Sequence, residues 1–270
     1  MRNQIKKLVS LILAAAMLLS CAGCSRSRRD PYDEIEESTP GRDVVRSAAQ
    51  DNVFSLNSHS RYSLDPLVAT NHANQLICCL VYENMLELDN NFQIIEGAGV
   101  IDHWDVNEDG TLWTFYIQEG HVFHDGSAVT PQDLRYSLQR AIFSDRYKGR
   151  FASFQGASHT GNYLQVSLGI GDMQFYKLMN IPVVKSGTAG QTTPPIGSGP
   201  YTFNEDRTEL LAYEGYPGYD TLPLKKLYIK EYQTAEGTIS AFEDGLIDVV
   251  GGMKEAMSKM YKLIETGKRK

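Results

Sequence analysis

Residues 113–140 constrain this chain more than any other stretch. They read WTFYIQEGHVFHDGSAVTPQDLRYSLQR, a strand, a turn and a helix start in uninterrupted order. Trp113, Phe115 and Ile117 alternate with Leu112, Thr114 and Tyr116, the two-residue period of a strand that buries one face. His124-Asp125-Gly126 supplies the turn, because glycine takes a positive φ at little cost. Thr130 is a favoured N-cap, and Pro131 fits the first helical position, where a missing N–H is harmless. Asp133 stands at N3, where a carboxylate reaches back to free backbone N–H groups. Leu134, Leu138, Ala141 and Ile142 then recur at helical spacing as one apolar stripe.

The flanking sequence is read in the same way. A first strand is expected at 53–56, followed by Leu64-Asp65-Pro66, where the proline pushes Asp65 into an extended conformation. A helix is expected over 73–86, with Leu76, Ile77, Leu80, Val81 and Met85 facing inward and Asn84 as a left-handed C-cap. Asn107-Glu108-Asp109-Gly110 is a hairpin turn. The polar, glycine-dotted stretch 144–171 yields no assignment, and its Tyr147, Phe151, Phe154 and Tyr163 are expected to fill a small core, lining a groove being the alternative. A short helix is expected at 172–179, and a strand pair at 201–204 and 210–213. A further strand at 227–232, a helix capped by Thr234 and ended by Gly245, and a strand at 246–250 complete the reading.

Several of these segments together resemble one family. The stretch DGTLWTFYIQEGHVFHDGSAVTPQDLRYSLQRAI, 109–142, is similar to the signature of the extracellular solute-binding proteins of family 5, the peptide- and nickel-binding components of ABC importers. Its pattern is a D-G-x-x-[WY]-T-F strand, then F-x-D-G-x-x-[VL]-T-A-x-D before a helix; Pro131 here replaces the alanine. Pro195-Ile-Gly-Ser-Gly-Pro-Tyr201 resembles the family's P-V-G-T-G-P-Y, and Tyr82-Glu-Asn-Met-Leu86 stands where the family has Y-E-x-L. Glu96-Gly-Ala-Gly-Val100 departs from the family's P-x-L-A by losing the proline. The resemblance covers about 53–250 and implies an α/β, mixed-sheet, two-lobed fold of the type II periplasmic-binding-protein kind. Family members usually run to about twice this length, so the fold is expected to be incomplete, its second large lobe missing.

The N-terminus reads as an export leader. Arg2, Lys6 and Lys7 precede an uncharged apolar run over 8–19, too short to span a bilayer. Ser20-Cys21 after that run resembles a bacterial lipobox, which makes Cys21 the expected lipid anchor; Cys24, after Ala22-Gly23, is the alternative, and an ordinary secretory cut near Ala22 a third reading. The expected division is a leader at 1–21, a tether at 22–52 and a large-lobe sheet from 53–69 and 183–250. A smaller subdomain, 70–182, is inserted into that sheet, and an amphipathic tail follows at 251–270. Residues 25–52 are too poor in apolar groups to offset the entropy of ordering.

Composition narrows the function classes. The formal charge is −7 and grows more negative once the leader's cations leave, so nucleic acid is excluded as a partner. Cys78 and Cys79 are adjacent and make no disulfide framework; both are expected to be buried on a helix. The six histidines, at 59, 72, 103, 121, 124 and 159, are scattered, and no catalytic motif appears, so neither an enzyme, a metal nor a cofactor is expected. The resemblance implies instead a ligand cleft closed by hinge motion. The segment after Leu-Asp-Pro usually contributes to that cleft, which makes Asn71, His72, Asn74 and Gln75 the candidate ligand-binding residues; a solvated loop with a helix cap is the competing reading. The implied partners are an oligopeptide or similar small solute, an ABC permease with its ATPase, and the membrane through an N-terminal lipid. A shortened surface lipoprotein for interaction or signalling, or a nickel or haem carrier of the same family, is the alternative. With only one face of the cleft encoded, weak affinity is expected of this chain alone.

Overall fold

The structure, a computed structural model, describes residues 53–190 and 194–250. The leader, Cys21, Cys24, the tether and the tail at 251–270 lie outside the described residues. The elements are β1 (Ser55–Ser58), α1 (His72–Val81), β2 (Ile101–Val106), β3 (Leu112–Ile117), α2 (Pro131–Phe143), β4 (Phe154–Thr160), β5 (Tyr163–Leu168), β6 (Tyr201–Phe203), β7 (Glu209–Ala212), β8 (Lys226–Glu231) and α3 (Ala235–Glu243). They build two four-stranded sheets, ordered β1-β8-β7-β6 and β2-β3-β5-β4. The first is mixed, β1 running parallel to β8 while β8, β7 and β6 alternate; the second is antiparallel throughout. This is the mixed α/β architecture that the family resemblance implies.

The stretch 113–140 folds as read. Trp113 and Phe115 are buried on one face of β3, their rings 5.8 Å apart, against Phe175. Leu134, Leu138 and Ala141 of α2 lie in the same core as Leu164, Val166 and Leu168 of β5. Asp133 accepts hydrogen bonds from the Thr130 backbone N–H at 2.9 Å and from its hydroxyl at 2.5 Å. Its other oxygen accepts from the Ser186 N–H at 2.8 Å, so a capping residue also fixes the chain that returns past the helix.

Other segments depart from the reading. The helix expected over 73–86 ends at Val81, and Tyr82 is extended. The Val81 carbonyl accepts from the Gly199 N–H at 2.9 Å, and the buried Tyr82 hydroxyl donates to the Pro195 carbonyl at 2.7 Å. A loop thus satisfies the helix end in place of another turn. A Cβ on Gly197 or Gly199 would fall 2.3 Å and 2.6 Å from Val81 backbone atoms, so only glycine permits this approach. Residues 83–85 instead pair with 181–183, Met85 N–H donating to Ile181 and Val183 N–H to Glu83, both at 2.8 Å. Asn84 is not left-handed. The inward face of α1 is Ala73, Asn74, Ile77, Cys78 and Val81, while Leu76 is exposed. Cys79 is exposed as well, correcting the expectation of two buried thiols; burial pushes the Cys78 thiol pKa up.

Residues 246–250 form a single parallel bridge, Leu56 to Val249, in place of a strand. The unassigned stretch 144–171 contains the β4–β5 hairpin, with Tyr147 and Phe151 buried and Phe154 and Tyr163 half-buried. The segment 172–179 holds a short 3-10 helix, Phe175–Met179.

Two hairpins share one loop. Asn107-Glu108-Asp109-Gly110-Thr111 joins β2 to β3, and Asn204-Glu205-Asp206-Arg207-Thr208 joins β6 to β7. In each, the asparagine Oδ1 accepts from two backbone N–H groups: Thr111 and Leu112, both at 2.9 Å, or Thr208 and Glu209, at 3.0 and 3.1 Å. The asparagine Nδ2 donates to the threonine hydroxyl at 3.0 or 3.2 Å. The fourth residue donates its N–H to the asparagine carbonyl at 3.1 Å in both. That residue is left-handed in both, φ +69° at Gly110 and +56° at Arg207.

Candidate functional site

A cleft of about 730 Å³ opens where the first sheet meets the chain leaving β1. Its walls come from residues 58–65, from Asn74 and Arg140, from the tip of the β6–β7 hairpin and from Ile229 and Glu231 at the end of β8. The first wall exists because Asn74, only 1 % exposed, grips it. Its Nδ2 donates to the carbonyls of His59, Tyr62 and Ser63 at 3.0–3.3 Å, and its Oδ1 accepts from the His59 N–H at 2.9 Å. A buried amide so saturated fixes the loop beyond β1 and leaves little hydrogen-bonding capacity over.

Of the four residues expected at a ligand, Asn74 alone lines this cleft. Asn71 caps α1 by accepting from the Asn74 N–H at 3.2 Å, and Gln75 donates to the Ala69 carbonyl at 2.8 Å. His72 is exposed at the first turn of α1.

The charges of the cleft are of both signs. Buried Asp65 takes both terminal nitrogens of Arg140, at 2.6 and 3.3 Å, a forked pair that satisfies both partners. Glu231 accepts from the Ser60 hydroxyl, from the Ser60 N–H at 3.2 Å and from Gln233 at 3.0 Å, which together hold its carboxyl below the usual pKa. Arg207 differs: among the described residues its guanidinium makes no hydrogen bond and no ion pair. The sequence reading missed Arg207. The available signal was the repeated Asn-Glu-Asp-x-Thr loop, with arginine where the first copy has glycine. Val68 and Arg140 also border a shallower depression of about 380 Å³, beside Phe143, which is 86 % exposed.

His121, His124 and Asp125 of the turn before α2 each bond to distant parts of the chain. His121 and Glu83 are buried together, Nδ1 to Oε2 3.1 Å. His124 contacts the Gly199 carbonyl at 3.0 Å, and burial lowers its pKa. Asp125 pairs with Lys185 and accepts from Ser127, which lowers its pKa to about 2. These bonds brace the 121–128 turn against neighbouring chain. Among the described residues, no three of His, Cys, Asp and Glu gather as a metal set, and no helix is long and apolar enough to cross a membrane.

Known proteins place this frame in a class. Residues 98–268 match the family model of the bacterial extracellular solute-binding proteins, family 5 Middle, and the chain belongs to that family. It is 26 % identical over 193 residues to a glutathione-binding protein, GsiB, of Pectobacterium atrosepticum, covering 67 % of this chain and 37 % of that one. It is 31 % identical over 100 residues to the periplasmic oligopeptide-binding protein OppA of Escherichia coli K12, covering 36 % of this chain and 18 % of the relative. Among solved structures, NikZ from Campylobacter jejuni in complex with Ni(L-His) superposes with a TM-score of 0.59 at 17 % identity, over 73 % of this chain and 42 % of that one. The chain spans less than half the length of each of these relatives.

Proposed function

We propose that this chain is the substrate-binding component of an ABC importer, held outside the cytoplasm by a lipid on Cys21 (Cys24 being the alternative), and that it takes oligopeptides or similarly small solutes in the cleft. The observation that carries the reading is the cleft itself, a mixed-charge cavity of about 730 Å³ on a family 5 frame. Residues 58–65 line it, where an extended ligand can lie while its side chains stay interchangeable. No bond is made or broken here: a permease receives the solute and an ATPase supplies the energy. In this reading the sheet from 53–69 and 183–250 is one lobe and 70–182 a subdomain inserted into it. Asn74 shapes the ligand wall, and Asn71, His72 and Gln75 flank it.

The test is an NMR titration of the chain with a mixed oligopeptide pool. Shifts confined to residues 58–65 and 206–208 are expected, since these line the cleft. No shift at those residues up to millimolar peptide would sink the function. Labelling with radioactive palmitate in Cys21→Ala and Cys24→Ala variants decides the anchor.

A further inference from the structure

Resting on that reading of the cleft, we infer that Arg207 is its receptor for a ligand carboxylate. The two matching hairpins carry the inference. They have the same hydrogen bonds and the same left-handed fourth position, so the loop requires nothing of that residue but a positive φ. Glycine meets that need without strain, and the β2–β3 hairpin has it. The β6–β7 hairpin places there a residue with a Cβ, for which the left-handed conformation is unfavourable. Strain of this kind persists where something else over-determines it.

What distinguishes Arg207 is where its side chain goes. Phe92 is the other non-glycine residue with positive φ among those described; it lies on a separate turn, 70 % exposed. Arg207 is half-buried and lines the cleft. The cleft's other arginine, Arg140, is neutralised by Asp65, whereas among the described residues the Arg207 guanidinium makes no hydrogen bond or ion pair, not even with its neighbour Asp206. An open guanidinium presents a planar fork of donors that matches a carboxylate, and partial burial strengthens that pairing over its value in water. The rest of the lining selects the class of anion. Asp206 and Glu231 bring negative charge to the same cleft, which disfavours a compact dianion such as phosphate. A zwitterion fits both signs, its carboxylate on Arg207 and its ammonium toward the acids. A peptide with a free C-terminus has that form; an acidic side chain presents the same group.

The test compares wild type with Arg207→Gly, the residue that the matching hairpin already tolerates, and with Arg207→Lys. Three probes are titrated: trialanine, trialanine amide, and an amidated tripeptide carrying one glutamate. Wild type is expected to prefer trialanine over its amide by roughly tenfold or more. Arg207→Gly should erase that preference while its melting midpoint rises by about 2 °C or more, showing an intact fold. Arg207→Lys should keep part of it. Recovery by the glutamate peptide, in wild type only, would make the side chain the source of the carboxylate and support the same assignment. If Arg207→Gly keeps the full preference, Arg207 is not the receptor although the cleft still binds peptides. If wild type binds none of the three at millimolar concentration, the assignment and the functional reading fall together.

Discussion

The hairpin loops at 107–111 and 204–208 are built from the same four identities, Asn, Glu, Asp and Thr, and differ at the position between Asp and Thr. Their backbones close identically, because closure is the work of the asparagine amide and of one left-handed residue. Around Gly110 the loop is pressed against residues 172–173, and its carbonyl accepts from the Trp113 indole at 3.2 Å and from the Asp172 N–H at 3.0 Å. Around Arg207 the loop faces a cleft. One copy is used for packing and has no room for a side chain; the other has room and fills it with a charge. The contrast shows how a turn that needs glycine can carry function once its surroundings open.

Exchanging the fourth residues is the strongest way to break this contrast. In Gly110→Arg the new Cβ would lie 3.0 Å from Met173 Sδ and 3.1 Å from the Asp172 nitrogen, on top of left-handed strain. A loss of about 2–4 kcal/mol is expected by urea unfolding. Asn107→Ala and Asn204→Ala each delete the same three bonds and should each cost about 1–2 kcal/mol. Similar losses would uphold the equivalence of the loops, and a wide gap would end it. The reciprocal Arg207→Gly is expected to gain about 1 kcal/mol.

The smallest effect concerns the join between the sheets, where the Tyr213 hydroxyl, just past β7, donates to the Phe123 carbonyl at 2.9 Å and the His124 ring meets the Tyr213 ring edge-on. Burial lowers the pKa of His124, so below about pH 6.5 the unfolded chain takes up a proton that the fold resists. Stability is therefore full above that pH and falls as pH drops toward the folded value. A melting series from pH 7.5 to 5 should show this slope, and His124→Asn should flatten it.

Much of this fold was legible where local signals agree. At 113–140 the strand period, turn glycine and capping box all name the same boundaries, and the structure keeps them. The end of α1 was not legible, because Leu80, Val81 and Met85 continue a helical stripe while the Gly199 N–H that ends the helix comes from far along the chain. In β5, Leu164, Val166 and Leu168 alternate as a strand should, but serines and glycines around them masked the period. The cleft was harder still. Asn74 was expected at a ligand because it follows the Leu-Asp-Pro segment; its hydrogen bonds go to the loop that forms the cleft wall, a role that polarity alone does not reveal. Arg207 gave no signal on its own, since arginine rarely marks a turn.

The parallel pairing of β1 with β8 has a consequence for biosynthesis. Ser60, just beyond β1, and its partner Glu231 are 171 positions apart. On the ribosome, β2 to β5 can close into a sheet as soon as residue 168 has emerged, from neighbours in the chain. The first strand by then has no mate, and it stays an uncovered edge until translation delivers β8. Maturation of the cleft is thus the late event, since its opposite walls are the first and nearly the last of the described segments to be made.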